Sequence, residues 1–208
     1  MIVMDWNIEH MNSWWSSGNT PTLLDTFAGN KFSPRIKDVH GLTKRVANVI
    51  REVNPDVITI QEGPGVPEAR DFFQNHVGGD WKILRVSGTT QALVVAARSD
   101  GEVTAIVDGP TQEGDVSLEE QFNADADGDL QTEALSFARV PQVVELTVNG
   151  RSIRIINNHL KSKHVNGGQE KWEAGGNERQ GFIAEALKAR RRISAEAYHI
   201  RSYLDALF

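Results

Sequence analysis

The sequence predicts an α/β fold, and three observations carry that prediction. Residues 2–8 alternate, with Ile2, Met4, Trp6 and Ile8 on one side and Val3, Asp5, Asn7 and then Glu9 on the other. That is the period of a strand with one apolar face, and it puts Asp5 and Asn7 on the same side. Leu42, Val46, Val49, Ile50 and Val53 then recur at helical spacing. Asn54-Pro55-Asp56 ends that helix and turns the chain, because the residue before a proline is pushed out of the helical region. Val57-Ile58-Thr59-Ile60 follows as a buried strand and delivers Gln61-Glu62 at its end.

Residues 11–40, rich in Ser, Asn, Thr, Gly and Pro, read as a loop. Residues 68–77 read as a short helix and 92–97 as another apolar strand. Residues 108–133 are acidic and polar and read as a long loop or insertion. Residues 140–148 and 151–157 are strand-like, separated by Asn149-Gly150, a strong signal for a two-residue hairpin turn. The second of these strands runs out at Asn158-His159. A Gly-rich, charged loop covers 164–177, and a long helix follows from about Glu178. Its expected inner face is Ile183, Leu187, Ile193, Ala197, Ile200 and Leu204. There is no internal repeat and no low-complexity linker, so residues 1–208 read as one domain. Polar residues recur where strands end, which suits a site built on strand ends by flanking loops.

Of the 208 residues, 39% are hydrophobic and 24% charged, enough apolar material for a sizeable core. No apolar run is long enough to span a bilayer. The N-terminus lacks the basic and apolar segments of a signal peptide. The chain is therefore expected in the cytoplasm if Met1 is the native start, and outside the cell if a signal has been removed. Without cysteine there are no disulfides, zinc–thiolate sites or cysteine nucleophiles. The net charge of −6 argues on its face against a nucleic-acid partner. The charge is uneven, however: no Lys or Arg lies between Arg98 and Arg139, while eleven Asp or Glu do. From Lys161 onward nine basic residues outnumber six acidic ones, so net charge does not describe any one site.

Four segments carry chemistry. Asn7, in Trp6-Asn7-Ile8, offers a neutral amide that can orient a carboxylate or hold a phosphate oxygen, or can simply cap a turn. Glu62 closes Pro55-Asp56-Val57-Ile58-Thr59-Ile60-Gln61-Glu62. A carboxylate after a buried strand can hold a hard cation together with phosphate oxygens, or can be a surface residue. His159, in Asn157-Asn158-His159-Leu160-Lys161-Ser162-Lys163, can act as a general base or donate to a phosphorane oxygen. Lys161 beside it can contact phosphate; otherwise this is a satisfied His in a solvated basic loop. Arg139, in Phe137-Ala138-Arg139-Val140-Pro141, can fork onto a phosphate or be an exposed Arg.

Together and in this order, these segments resemble the endonuclease/exonuclease/phosphatase superfamily, which includes deoxyribonuclease I, abasic-site endonucleases, neutral sphingomyelinases and inositol-polyphosphate phosphatases. The resemblance covers essentially the whole chain. It implies a deoxyribonuclease I-like four-layer sandwich of two mixed sheets flanked by helices. It also implies a Mg²⁺- or Mn²⁺-dependent hydrolase of phosphate esters, most like a nuclease-type phosphodiesterase. The resemblance makes Glu62 the metal carboxylate, supported by Asn7, and places His159 beside the scissile phosphate. Arg139 and Lys161 would contact substrate. Gln91 stands where deoxyribonuclease I-like members have a Glu that orients the His. The Gly-Asp-x-Asn strand, a later Asp and the final Asp-His pair of the family are absent after His159. The expectation is therefore a domain lacking its C-terminal part, with an incomplete second sheet that self-associates and hydrolysis near background. The alternatives are an inactive remnant that binds a partner or nucleic acid through Lys161, Lys163 and Arg179, or a truncated fragment with no function of its own.

Two features lie outside that pattern. Asn123-x-Asp125-x-Asp127-Gly128 resembles a calcium loop with Leu130 at the usual apolar position, but its closing Glu133 comes one residue early. The competing reading is a solvated acidic loop. Arg190-Arg191-Arg192 reads as a solvated helix face.

Overall fold

The computed structural model describes residues 1–16, 21–30, 35–85, 91–160, 162 and 164–208. The chain forms two compact units, Met1–Pro110 with Gln142–Asn158, and Thr111–Pro141 with His159–Phe208.

In the first unit β1 (Val3–Asn7) lies parallel to β2 (Val57–Gly63). Between them runs α1 (Val39–Val53). Asp38 caps its start by accepting from Gly41 N at 2.7 Å. Asn54, with φ +50, ends it in the left-handed conformation and donates its N–H to Ile50 O. After β2 come α2 (Val66–Asp71) and a wide helical turn at Phe72–Val77. The strands β3 (Trp81–Arg85) and β4 (Ala92–Arg98) then complete a mixed sheet in the order β1-β2-β4-β3. A second sheet runs β11-β10-β5, all antiparallel, from β5 (Val103–Asp108), β10 (Gln142–Val148) and β11 (Arg151–Asn157). Asn149 and Gly150 between β10 and β11 have φ of +50 and +75, the two left-handed residues that the primed hairpin turn requires.

The mixed sheet is covered on both faces, so β2 and β4 are buried nearly end to end and their apolar residues run without alternation. Ile58, Ile60, Val94 and Ala96 pack under α1, Phe72, Phe73 and the Trp14–Trp15 corner. Val57, Val95 and Ala97 on the opposite face meet Val103, Ile106, Val144, Leu146 and Val148 of the second sheet. Each fully buried Ile or Val contributes about 1.5–3 kcal/mol. Met4 and Trp6 of β1 turn toward the helical layer while Val3, Asp5 and Asn7 face out, as the alternation predicts. The first unit is thus an α/β sandwich of two sheets face to face with helices on an outer face.

The second unit has two small antiparallel ladders. One pairs β6 (Gln112–Glu113) with β7 (Val116–Ser117), and the other β8 (Phe122–Ala124) with β9 (Glu133–Leu135). Three of these strands, β6, β7 and β8, stand within residues 108–133, which the sequence reads as a long loop or insertion; the turns between such short strands hide their period. Two helices follow, α3 (Gly168–Ala174) inside the segment read as loop, and α4 (Gly176–Asp205). The buried face of α4 differs from the apolar one expected. Ile183, Leu187 and Leu204 are exposed, while Glu196 and Tyr203 are buried. The buried side is turned by roughly a quarter of the helix circumference, on the 3.6-residue period, from the apolar positions. Specific partners account for this. His199 stacks on Phe122 at 4.3 Å and donates Nε2–H to Ser117 O at 2.8 Å. Arg192 pairs with Glu196 at 3.3 Å and donates to Ser136 O at 2.6 Å. Among the described residues, no helix is long and apolar enough to cross a membrane.

Candidate metal centre

The parallel register of β1 on β2 sets Asn7 opposite Gln61, and so brings together two segments far apart in sequence. The ladder between β2 and β4 then shifts: Ile60 pairs with Val94, and the next pair is Gly63 with Ala92. Gln61 and Glu62 thus form a bulge, a device that re-aims a side chain at a sheet margin. Glu62 has φ +59, the left-handed region that a non-glycine residue rarely adopts. His10, just past the end of β1, has φ +54. Each costs about 1–2 kcal/mol, and such strained residues concentrate at functional sites.

These two residues and their neighbours surround one carboxylate. Glu62 Oε2 accepts from the His10 backbone N–H at 3.1 Å and from Gln91 Nε2 at 3.0 Å. Glu62 Oε1 faces Asn7 Nδ2 at 3.4 Å. The His10 ring stands close, with Nδ1 3.8 Å from Oε2. The Glu62 side chain is 12% exposed and that of His10 15%. A carboxylate so nearly enclosed needs such donors, because burial without them costs several kcal/mol.

Behind the site lies a buried polar link between the two sheets. Gln61 Nε2 donates to Asp5 Oδ1 at 2.8 Å and to Asn157 Oδ1 at 2.7 Å. Asn157 Nδ2 donates to Ile60 O at 3.3 Å and Val94 O at 3.2 Å, the carbonyls beside the bulge. Thr59 donates its hydroxyl to Asp5. Asn157 thus anchors the last residue of β11 to the strand that carries Glu62.

Gly63 closes the bulge tightly. A Cβ there would lie 2.8 Å from Val94 Cγ2 and 3.3 Å from Ala92 O. Gly63→Ala is expected to destabilise the protein by about 1–3 kcal/mol, the usual result of overpacking a filled core. Urea unfolding checks this, and a loss below about 0.5 kcal/mol, the scale of ordinary surface changes, would contradict the tight bulge.

Of the residues singled out in the sequence, Asn7 and Glu62 meet directly. Gln91 joins them as a donor to Glu62. His159 and Arg139 belong to the second unit, both partly buried; Arg139 lies in the segment before β10 rather than on a strand. Lys161 and Lys163 lie outside the described residues. Arg179 folds over the Trp172 ring at 4.8 Å. The sequence reading did not single out His10, Gln61 or Asn157 as site residues. Only the polar character of strand ends pointed toward them.

In the second unit the oxygens of Asp125, Asp127 and Asp129 lie within 4.8 Å of one another. Asp125 accepts from the backbone of Gly128 and, at 3.1 Å, of Leu130. Lys188 Nζ stands 3.5 Å from Asp127 Oδ2, and Arg191 donates to Asp127 O. Glu133 turns to accept from Ala126 N at 2.8 Å. These bonds are those of an acidic turn closed on itself and on basic side chains. Leu130 is 93% exposed rather than packed as a calcium loop's apolar residue is.

No protein-family model matches the chain, and no curated protein matches it. Among solved structures it is similar to TDP2 from Caenorhabditis elegans, at 18% identity over 88% of this chain and 43% of that one, with a TM-score of 0.39. A truncated form of the same protein matches over 64% of this chain and 43% of that one, with 18% identity and a TM-score of 0.34. The chain thus spans less than half the length of these neighbours. What the Glu62 cluster can do follows from its own geometry.

Proposed function

We propose that this chain carries the metal-binding part of a divalent-cation-dependent phosphodiesterase. The observation that supports it is the Glu62 carboxylate, re-aimed by a bulge, held by the His10 N–H and Gln91, and faced by the Asn7 amide. These residues fit a hard cation. Mg²⁺ and Mn²⁺ are bound by one or two carboxylates with neutral oxygens and phosphate oxygens completing the shell. Glu62 supplies the carboxylate, and Asn7, with its amide turned over, supplies the neutral oxygen. When bound, the ion polarises the phosphoryl oxygen and stabilises the leaving oxyanion.

The chain's own groups do the rest. Gln91 and the His10 N–H fix the carboxylate, so that little reorganisation is needed when substrate binds. By the resemblance, His159 is the group to hold a hydrogen bond to a phosphoryl oxygen or pass a proton to the departing ester oxygen. The same resemblance makes Arg139 and Lys161 the candidates to hold the flanking phosphate. The substrate class that fits is a phosphodiester, nucleic acid included. The test is hydrolysis of bis-p-nitrophenyl phosphate and of single- and double-stranded DNA by the protein with Mg²⁺ or Mn²⁺. His159→Ala should lower kcat by about a hundredfold or more, the usual contribution of a positioned acid or base. Metal-dependent turnover left intact in that variant would remove His159 from the mechanism.

A further inference from the structure

His10 is a side chain that the phosphodiesterase reading uses only through its backbone. Its N–H holds the Glu62 carboxylate, and its ring lies against the same oxygen. The separation of 3.8 Å between Nδ1 and Oε2 is too long for a hydrogen bond. It falls inside the span open to two atoms sharing one ion, at most about 4.2 Å for bonds of about 2.1 Å each. Both side chains are nearly enclosed. The backbone that brings the ring there is a left-handed residue which donates to Glu62 itself, so ring and carboxylate are held as one rigid group.

We propose that the His10 imidazole is a ligand of the ion that Glu62 holds. The site then offers nitrogen and oxygen together and favours first-row transition ions over Mg²⁺. Imidazole is a borderline-soft ligand that such ions accept and that Mg²⁺, which keeps a nearly all-oxygen shell, does not. This rests on the reading of Glu62 as a metal carboxylate, and the experiment separates the two.

Mn²⁺ and Mg²⁺ affinities are measured by calorimetry on the full chain, and nitrogen coupling to bound Mn²⁺ by electron spin-echo modulation. The variants are Glu62→Gln and His10→Gly. Glycine suits the left-handed backbone, keeps the N–H to Glu62 and removes only the ring. His10→Asn, which also tolerates that backbone, takes its place if the glycine variant is not folded by circular dichroism. The expected result is loss of both ions in Glu62→Gln. In the His10 variant, Mn²⁺ binding should weaken about tenfold or more and the nitrogen coupling should vanish, with Mg²⁺ binding little changed. Unchanged Mn²⁺ affinity in the His10 variant, with no nitrogen coupling in the parent chain, overturns the ligand assignment while the loss in Glu62→Gln keeps the metal site. Unchanged affinity in Glu62→Gln removes the metal site and the His10 assignment with it.

Discussion

Glu62→Gln is expected to abolish specific divalent-cation binding at the end of β2, a loss of at least about a hundredfold in affinity. That exceeds the ten- to hundredfold that removal of a residue behind a ligand costs, because here the ligand's own charge is lost. The substitution keeps the shape, and its amide oxygen can still accept from the His10 N–H and Gln91. The fold should therefore survive, and the effect should be confined to the ion. Thermal unfolding with and without Mn²⁺ reads this directly. An ion at a hundred times its Kd stabilises the protein by about 2.7 kcal/mol. The parent chain should show that upward shift in Tm and the variant should not. An equal shift in both would mean that the ion binds elsewhere.

The second large effect is on stability. Asn157→Ala should destabilise the first unit by about 3–5 kcal/mol, the sum of several buried polar groups losing partners at about 1–3 kcal/mol each. The carbonyls of Ile60 and Val94 lose a shared donor, and Gln61 loses an acceptor at 2.7 Å. Water is no substitute, since Asn157 and Gln61 are both buried. Asn157→Asp should fare no better, because it sets a carboxylate against two carbonyl oxygens. Because Gln61 is the other half of the bulge, the same substitution should loosen Glu62 and weaken metal binding as well. Urea unfolding that moves by less than about 1 kcal/mol, within the range of a single ordinary hydrogen bond, would show that the link between the sheets is not what holds the bulge.

The first half of the fold was legible because its elements follow local rules. The alternation of residues 2–8, the helical spacing before Asn54-Pro55 and the Asn149-Gly150 turn each have one structural solution, and each appears where the sequence puts it. The strands β3 and β5 were not legible. In β5 only Val103 and Ile106 are buried, three residues apart, because the ladder with β10 shifts register at Thr147 and Val148 and breaks the two-residue period. The buried side of α4 escaped prediction for another reason. It is chosen by an ion pair of Arg192 with Glu196 and by the His199 stack on Phe122, and polar residues with distant partners look like surface in a sequence.

The candidate centre divides the same way. Asn7 and Glu62 were legible as polar residues that end strands, and the parallel register joins them. Gln91 was named only through the resemblance, in the place of a Glu that orients the His, whereas the bond it makes is to Glu62. His10 and Asn157 were not, since the role of each rests on contacts made across 52 and 96 positions of sequence. Left-handed backbone at a non-glycine residue leaves no mark in composition, yet it is what aims both Glu62 and His10.

The most direct test of the metal centre is a crystal of the protein soaked in Mn²⁺ and measured at a wavelength where manganese scatters anomalously. The predicted result is a single strong anomalous peak at about 2.1–2.2 Å from a Glu62 carboxylate oxygen, the distance of a divalent ion of this size, with the Asn7 amide turned to present its oxygen. Anomalous density at Asp125 and Asp127 with none at Glu62 would contradict it.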